Sequence, residues 1–162
     1  HFPNIHLTDL FAQAVGISIV KAETTGVKEV ELEDLKHLLA KLDIEGVVSG
    51  AVASEYQKTR IKRICQELGL ESITPLWHGD PYTLLQEIVN ERFETIFVGV
   101  YAYGFDASWL GRTIDSKAIE RLVELNRRYQ ISIVGEGVEY ETQDCDGQVF
   151  KKKIRLVITE ED

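Results

Sequence analysis

Along this chain the apolar positions switch between two periods. Short apolar or β-branched runs at Ile17 to Val20, Gly46 to Ser49, Glu71 to Thr74, Thr95 to Val100 and Ile131 to Val134 predict strands. Helical stretches lie between them. Leu35, Leu38, Leu39 and Leu42 recur at i, i+3, i+4 and i+7, which places them on one helix face. Ile61, Ile64, Cys65 and Leu68 repeat that spacing and stop at Gly69, a helix terminator. Pro81 suits the first turn of a helix carrying Leu84, Leu85, Ile88 and Val89. Asp115 is placed to cap a helix running to Tyr129, with Ile119, Leu122 and Val123 turned inward.

Strands alternating with helices predict an α/β fold: parallel strands joined by right-handed crossovers, with helices on both faces of the sheet. The C-terminal end departs from that rhythm. Asp146–Gly147 precedes Val149–Phe150 and a β-branched run from Ile154 to Ile158, which predicts a small antiparallel appendage. The expected organisation is one domain over residues 1–142, with the appendage over 143–162 packed on it. A chain of 162 residues can bury one core of that size.

Composition narrows the function classes. Hydrophobic residues make up 44% and charged residues 28%, the balance of a folded protein and not of a disordered one. Apolar runs such as Ile96 to Val100 are far too short to span a bilayer. There is no basic-then-apolar leader, and Cys65 and Cys145 fit neither a disulfide framework nor a metal spacing. A reducing, cytoplasmic setting is therefore expected, with Cys65 as a small core residue. The net charge is −9, and the basic clusters (Lys58 to Arg63, Arg127–Arg128, Lys151 to Lys153) are short. Extended contact with DNA or RNA is not expected, whereas a small nucleotide is compatible with this balance.

In an open parallel sheet, ligands bind beyond the carboxyl ends of the strands. The loops after Ser49, Thr74, Val100 and Val134 hold most of the unusual residues. In the first, Gly50 and Ala51 let a ligand approach the backbone, and a helix starting near Ser54 points free N–H groups at an anion. Arg60, one turn beyond Tyr56, can grip a phosphate or carboxylate in bidentate fashion. The alternative is that Ser54 only caps and Arg60 is a surface charge. In the second loop Trp77 is either a base-stacking platform or a core-edge aromatic, Asp80 is an N-cap, and His78 is solvated. The third, Tyr101 to Arg112, is aromatic and punctuated by glycine, as binding loops are. Arg112 can meet a carboxylate there, while Tyr103 and Trp109 can instead pack the loop down, the preferred reading for Trp109. The fourth places Glu136, Glu139 and Glu141 among Gly135, Gly137 and Thr142. Carboxylates this close call for a metal ion, an ammonium group or arginines, unless they form a solvated acidic turn. No dinucleotide, P-loop, zincin or nucleophile-elbow motif is present.

These segments together resemble the diphthine–ammonia ligase family, ATP-pyrophosphatases of the adenine nucleotide alpha-hydrolase-like class. The resemblance rests on Leu7-Thr8-Asp9-Leu10, on Gly50-Ala51 with Ser54-Glu55-Tyr56-Gln57 and Arg60, and on Leu76-Trp77 with Asp80. It continues through Trp109-Leu110-Gly111-Arg112, Gly135-Glu136-Gly137 and Glu139-Tyr140-Glu141-Thr142. It implies a Rossmann-like fold and a two-step reaction. ATP activates the carboxylate of diphthine, a modified histidine of elongation factor two, as an acyl-adenylate, and ammonia then displaces AMP.

By the same resemblance Gly50, Ser54, Tyr56, Gln57 and Arg60 line the nucleotide side. Glu136, Glu139 and Glu141 are the catalytic set, holding Mg²⁺ or orienting ammonium and substrate. Trp77, Tyr103, Gly104, Arg112, Gly135, Gly137 and Thr142 face the substrate. The implied ligands and partners are ATP, Mg²⁺, ammonia and elongation factor two, with neither DNA nor membrane, and a homodimer is compatible.

Three departures stand out. Family members open with a strand and a Ser-Gly-Gly-Lys-Asp-Ser phosphate loop that this sequence does not contain, so an N-terminally incomplete chain is expected. Val138 stands where the family has glycine, and Gln143 to Gln148 replaces a mostly apolar stretch. Two alternatives keep the fold: an ATP-pyrophosphatase with another substrate, and a non-catalytic nucleotide-binding module.

Overall fold

A computed structural model describes residues 5–156. In chain order its elements are α1 (Thr8–Val15), α2 (Lys28–Leu39), β1 (Gly46–Val48), α3 (Glu55–Leu68), β2 (Glu71–Ile73), α4 (Pro81–Asn90), β3 (Glu94–Val100), α5 (Ser116–Tyr129) and β4 (Tyr140–Asp146). They fall into two compact units, one formed by Ile19–Gly79 and the other by α1 with everything from Asp80 onward. The α/β class is as expected. Among the described residues, no helix is long and apolar enough to cross a membrane.

In the Ile19–Gly79 unit, β1 and β2 pair in parallel, Gly46 opposite Glu71 and Val48 opposite Ile73, with α3 as the crossover. The helix begins where Ser54 Oγ accepts the Gln57 amide at 3.3 Å. It ends at Gly69, whose φ of 71° is the left-handed conformation that glycine adopts without a Cβ penalty. Ile64 and Cys65 carry its buried stripe, as their spacing predicts. Glu67 accepts from both Lys36 of α2 and Arg63, which ties the two helices together.

The second unit is built on β3. Its side chains alternate, so Phe97 enters one core and Ile96 another. The larger core joins Leu85 of α4, Ile119 and Leu122 of α5, Trp109, Ile131 and Tyr140. Phe97 lies 5.1 Å from both the Trp109 and the Tyr140 ring centroids. One edge of β3 pairs antiparallel with β4. Along the other, the Phe97 amide donates to Arg112 O and the Gly111 and Ile114 amides donate back to β3. Asp80 caps α4 through the Thr83 amide, and Asp115 caps α5 through the Ala118 amide at 2.7 Å.

Three expected strand features differ. Ile17 to Val20 forms no strand: the chain leaves α1 through left-handed Gly16, and Ile17, Ile19 and Val20 stay exposed. β-Branched residues favour a pleated surface only where a neighbouring strand supplies one. Ile131 to Val134 is also not a strand, because its backbone is served by side chains. Asn126 Nδ2 donates to Ile131 O, Glu139 accepts from the Ser132 amide, and the Tyr140 hydroxyl donates to Ile133 O. Lastly, the antiparallel element starts early, at Tyr140, and takes Glu141 and Thr142 into β4. Residues 154–156 are not in a strand, although the Ile154 amide donates to Cys145 O at 2.8 Å; residues 157–162 of that run lie outside the described residues.

Candidate functional site

The expected site residues divide between the two units, and each unit presents one edge.

In the Ile19–Gly79 unit, the loops after β1 and β2 leave the same end of the parallel pair. The Ser49 amide donates to Ile73 O at 2.9 Å, and the His78 amide donates to Val52 O at 2.8 Å, which draws the loops together. Ala51 and Val52 are buried and anchor the first loop. Gly50 sits beside open space, with nothing within 4 Å of where a Cβ would lie, so a ligand can reach the backbone there. Ser54 and Gln57 are joined as cap and capped amide. Arg60 stacks its guanidinium 3.4 Å above the Tyr56 ring centroid, a planar cationic platform one helical turn long. Trp77, half-buried, stacks with His78 at 4.5 Å and carries the Lys58 ammonium 3.7 Å from its centroid. It is therefore held by polar partners and is not part of the apolar core. This edge offers an open glycine, a helix N-terminus and two cations laid on aromatic rings, a set suited to a planar base and an anion.

In the other unit, Tyr101 and Ala102 both donate their amides to Glu139 O, which brings the segment after β3 against the acidic turn. The Glu139 carboxylate closes that turn: Oε1 accepts from the Ser132 amide at 2.9 Å and Oε2 from the Gly137 amide at 2.8 Å. A Cβ on Gly137 would lie 2.6 Å from Glu139 Oε1, so the glycine makes the wrap feasible. Gly135 adopts φ 71° and Val138 φ 65°, so the valine noted in the sequence occupies a backbone region that β-branched residues avoid. Glu136 uses its amide on Ser132 Oγ.

Glu141 and Thr142 lie in β4 opposite Gly99 and Phe97, across a register shift in β3. The Tyr101 hydroxyl end lies over Gly99, where a Cβ would be 2.3 Å away. Burial and then the Glu141 charge push that phenol above its ordinary range. Burial, and after it Glu139, does the same to Tyr140 more strongly. Tyr103 is 80% exposed, its ring edge-on to Tyr129 at 5.0 Å. Gly104, at φ 96°, lets this loop lie against Tyr129 and Leu125. Arg112 pairs with Asp115 at 3.4 Å and lies 5.5 Å from Trp109, which is fully buried, as its preferred reading requires.

Among the described residues no three His, Cys, Asp or Glu side chains converge on a metal position, and Glu139 is engaged by its own turn. In the sequence Lys58 is one member of the Lys58 to Arg63 basic cluster and carries no mark of its own.

Comparison with known proteins joins these edges to one family. The model of the diphthamide synthase N-terminal domain matches residues 1–72, and that of the diphthamide synthase C-terminal domain matches residues 80–162. The diphthine–ammonia ligase of Homo sapiens is 33% identical over 165 residues, covering 92% of this chain and 61% of the human protein. That of Bos taurus is 34% identical over 166 residues, with 92% and 61% covered. The Danio rerio ligase is 33% identical over 168 residues, with 94% and 66% covered. The chain thus spans about three-fifths of the length of the curated mammalian relatives it matches. With a family model covering residues 80–162 and these identities along most of its length, the chain belongs to the diphthamide synthase family.

Proposed function

We propose that this chain forms the nucleotide- and substrate-binding portion of an ATP-dependent ligase that amidates diphthine on elongation factor two. The observation that carries the reading is the loop pair after β1 and β2, which sets Gly50, Tyr56, Arg60 and Trp77 at the carboxyl end of a parallel pair in a chain related to diphthine–ammonia ligases. There the Tyr56–Arg60 stack accepts the planar and anionic parts of ATP, and the α3 N-terminus faces negative charge.

In the first step a diphthine carboxylate oxygen attacks the α-phosphorus and pyrophosphate leaves. In the second, ammonia nitrogen attacks the acyl carbon, the bond to AMP breaks, and the amide remains. Glu136 and Glu141 are the carboxylates proposed to meet the ammonium or substrate, with Glu139 shaping the turn beside them. Exposed Tyr103, held by Gly104, and Thr142 of β4 are proposed as substrate contacts; Arg112, Gly135 and Gly137 act by fixing the backbone around them. Magnesium, where it accompanies the nucleotide, would be held mainly by phosphate oxygens and about one or two carboxylates, so no three-carboxylate cage is needed.

The test is AMP release by the intact protein with ATP, an ammonium salt and elongation factor two carrying diphthine. AMP appearing in step with amidated product supports the reading. Its absence, with all three supplied, overturns it.

A further inference from the structure

The cations of α3 are not equivalent. Arg63 is paired with Glu67, 2.9 Å away, which also pairs with Lys36. Lys58 is different: among the described residues no carboxylate pairs with it, in a chain whose net charge is −9. Its ammonium lies 3.7 Å from the Trp77 ring centroid and its side chain is half-buried. A ring face holds a cation in place by its quadrupole but accepts none of its N–H bonds in the way a carboxylate does. The ammonium is thus ordered, partly desolvated and left with donors for an outside acceptor. Trp77 is itself fixed, stacked with His78, whose amide is bonded to Val52 O. This places an uncompensated cation within the first turns of α3, where the helix N-terminus already favours negative charge.

We propose that Lys58, braced on Trp77, is a further anion-binding residue of this edge and takes a phosphate oxygen of the nucleotide or of its pyrophosphate product. The identity of the anion rests on the nucleotide reading above; the site itself rests on the Lys58–Trp77 geometry. Arginine at this position keeps both the charge and the ring contact, methionine keeps only the stem, and leucine at 77 removes the brace.

The experiment is calorimetric titration of the intact protein with AMP and, separately, with inorganic pyrophosphate. It is run on wild type, Lys58→Met, Lys58→Arg and Trp77→Leu, with thermal unfolding of each variant alongside. Lys58→Met is expected to weaken binding about tenfold, the scale of one charge-assisted contact, and Lys58→Arg to remain within about threefold of wild type. Trp77→Leu is expected to follow Lys58→Met, and the wild-type affinity is expected to fall as salt rises. A Lys58→Met protein that unfolds at lower temperature yet binds both probes like wild type overturns the proposal and leaves Lys58 a structural brace. Wild-type binding of pyrophosphate but not AMP sinks the nucleotide reading alone, and Lys58→Met then decides this site through pyrophosphate. Binding of neither probe by wild type overturns both.

Discussion

Glu139 separates a chemical from a structural use of the acidic turn. Its carboxylate receives two backbone amides, from Ser132 at 2.9 Å and Gly137 at 2.8 Å, and its carbonyl receives two more, from Tyr101 and Ala102. Replacing the side chain by alanine leaves the carbonyl bonds and removes the carboxylate ones. Gly137 is exposed, so water can take over its amide; Ser132 is half-buried, so its amide loses more. With charged hydrogen bonds contributing roughly 1.5–3 kcal/mol where water is excluded and less where it is not, Glu139→Ala should cost about 2 kcal/mol. Glu139→Gln keeps one acceptor but turns an NH₂ group toward the other amide, and should cost about 1 kcal/mol. For a chain of this length each kcal/mol lowers Tm by about 2–4 °C, so the two variants should melt about 4–8 °C and 2–4 °C below wild type. Thermal unfolding followed by circular dichroism gives the shift, and amide hydrogen exchange should show faster exchange at Ser132 and Gly137. If Glu139→Gln melts with wild type and keeps both amides protected while ligation is abolished, the structural reasoning fails and the carboxylate belongs to the chemistry.

Three further outcomes are expected. Asp115→Ala removes the α5 cap and should cost about 1 kcal/mol, whereas Asp115→Asn should lose far less; equal losses in a denaturant titration would contradict the cap. The Thr83 amide and hydroxyl, the Ser108 hydroxyl and amide, and the Ala118 amide hold Asp80, Asp106 and Asp115 below the usual carboxylate range. Depressed folded-state values stabilise the fold above the unfolded pKa of about 4 and lose that contribution as pH falls through the folded values, so Tm should hold down to about pH 5 and then decline. A Tm that rises between pH 4 and pH 3, on the same scale, would contradict this assignment. Val138→Gly relieves a valine held at φ 65° and should raise Tm by about 1–2 °C, about 1 kcal/mol of strain being partly offset by the extra freedom glycine has when unfolded; a lower Tm would mean that the valine side chain packs usefully.

The helices were legible in the sequence because each carries its own instructions. The i, i+3, i+4 stripes of α3 and α5 turn inward as their spacing requires, with Ile64 and Cys65, and Ile119 and Leu122, buried, and Ser54, Asp80 and Asp115 cap the helices they precede. The strands at β1, β2 and β3 were legible as apolar runs, but which runs would pair was not. Ile131 to Val134 looks like Thr95 to Val100 in composition, yet its backbone bonds go to Asn126, Glu139 and Tyr140 side chains. An apolar run reports that side chains prefer burial; it does not report where the peptide groups find partners.

The same distinction governs the candidate site. Residue type alone marked the glutamates as a cluster in want of a counter-charge. What Glu139 meets instead is the backbone of its own turn, and that depends on left-handed φ values at Gly135 and Val138 and on the missing side chain at Gly137. Neutral amides can satisfy a carboxylate as well as a cation can, so clustered like charges need no metal once the chain between them folds back. Lys58 is the converse case. On paper it is one of several lysines and arginines in a solvated helix, and only the position of Trp77 distinguishes it from Arg63, which faces Glu67. Charge in a sequence therefore indicates a site only when the fold leaves it uncompensated. By that criterion, the cation over Trp77 is a stronger pointer to a ligand than the carboxylate of Glu139.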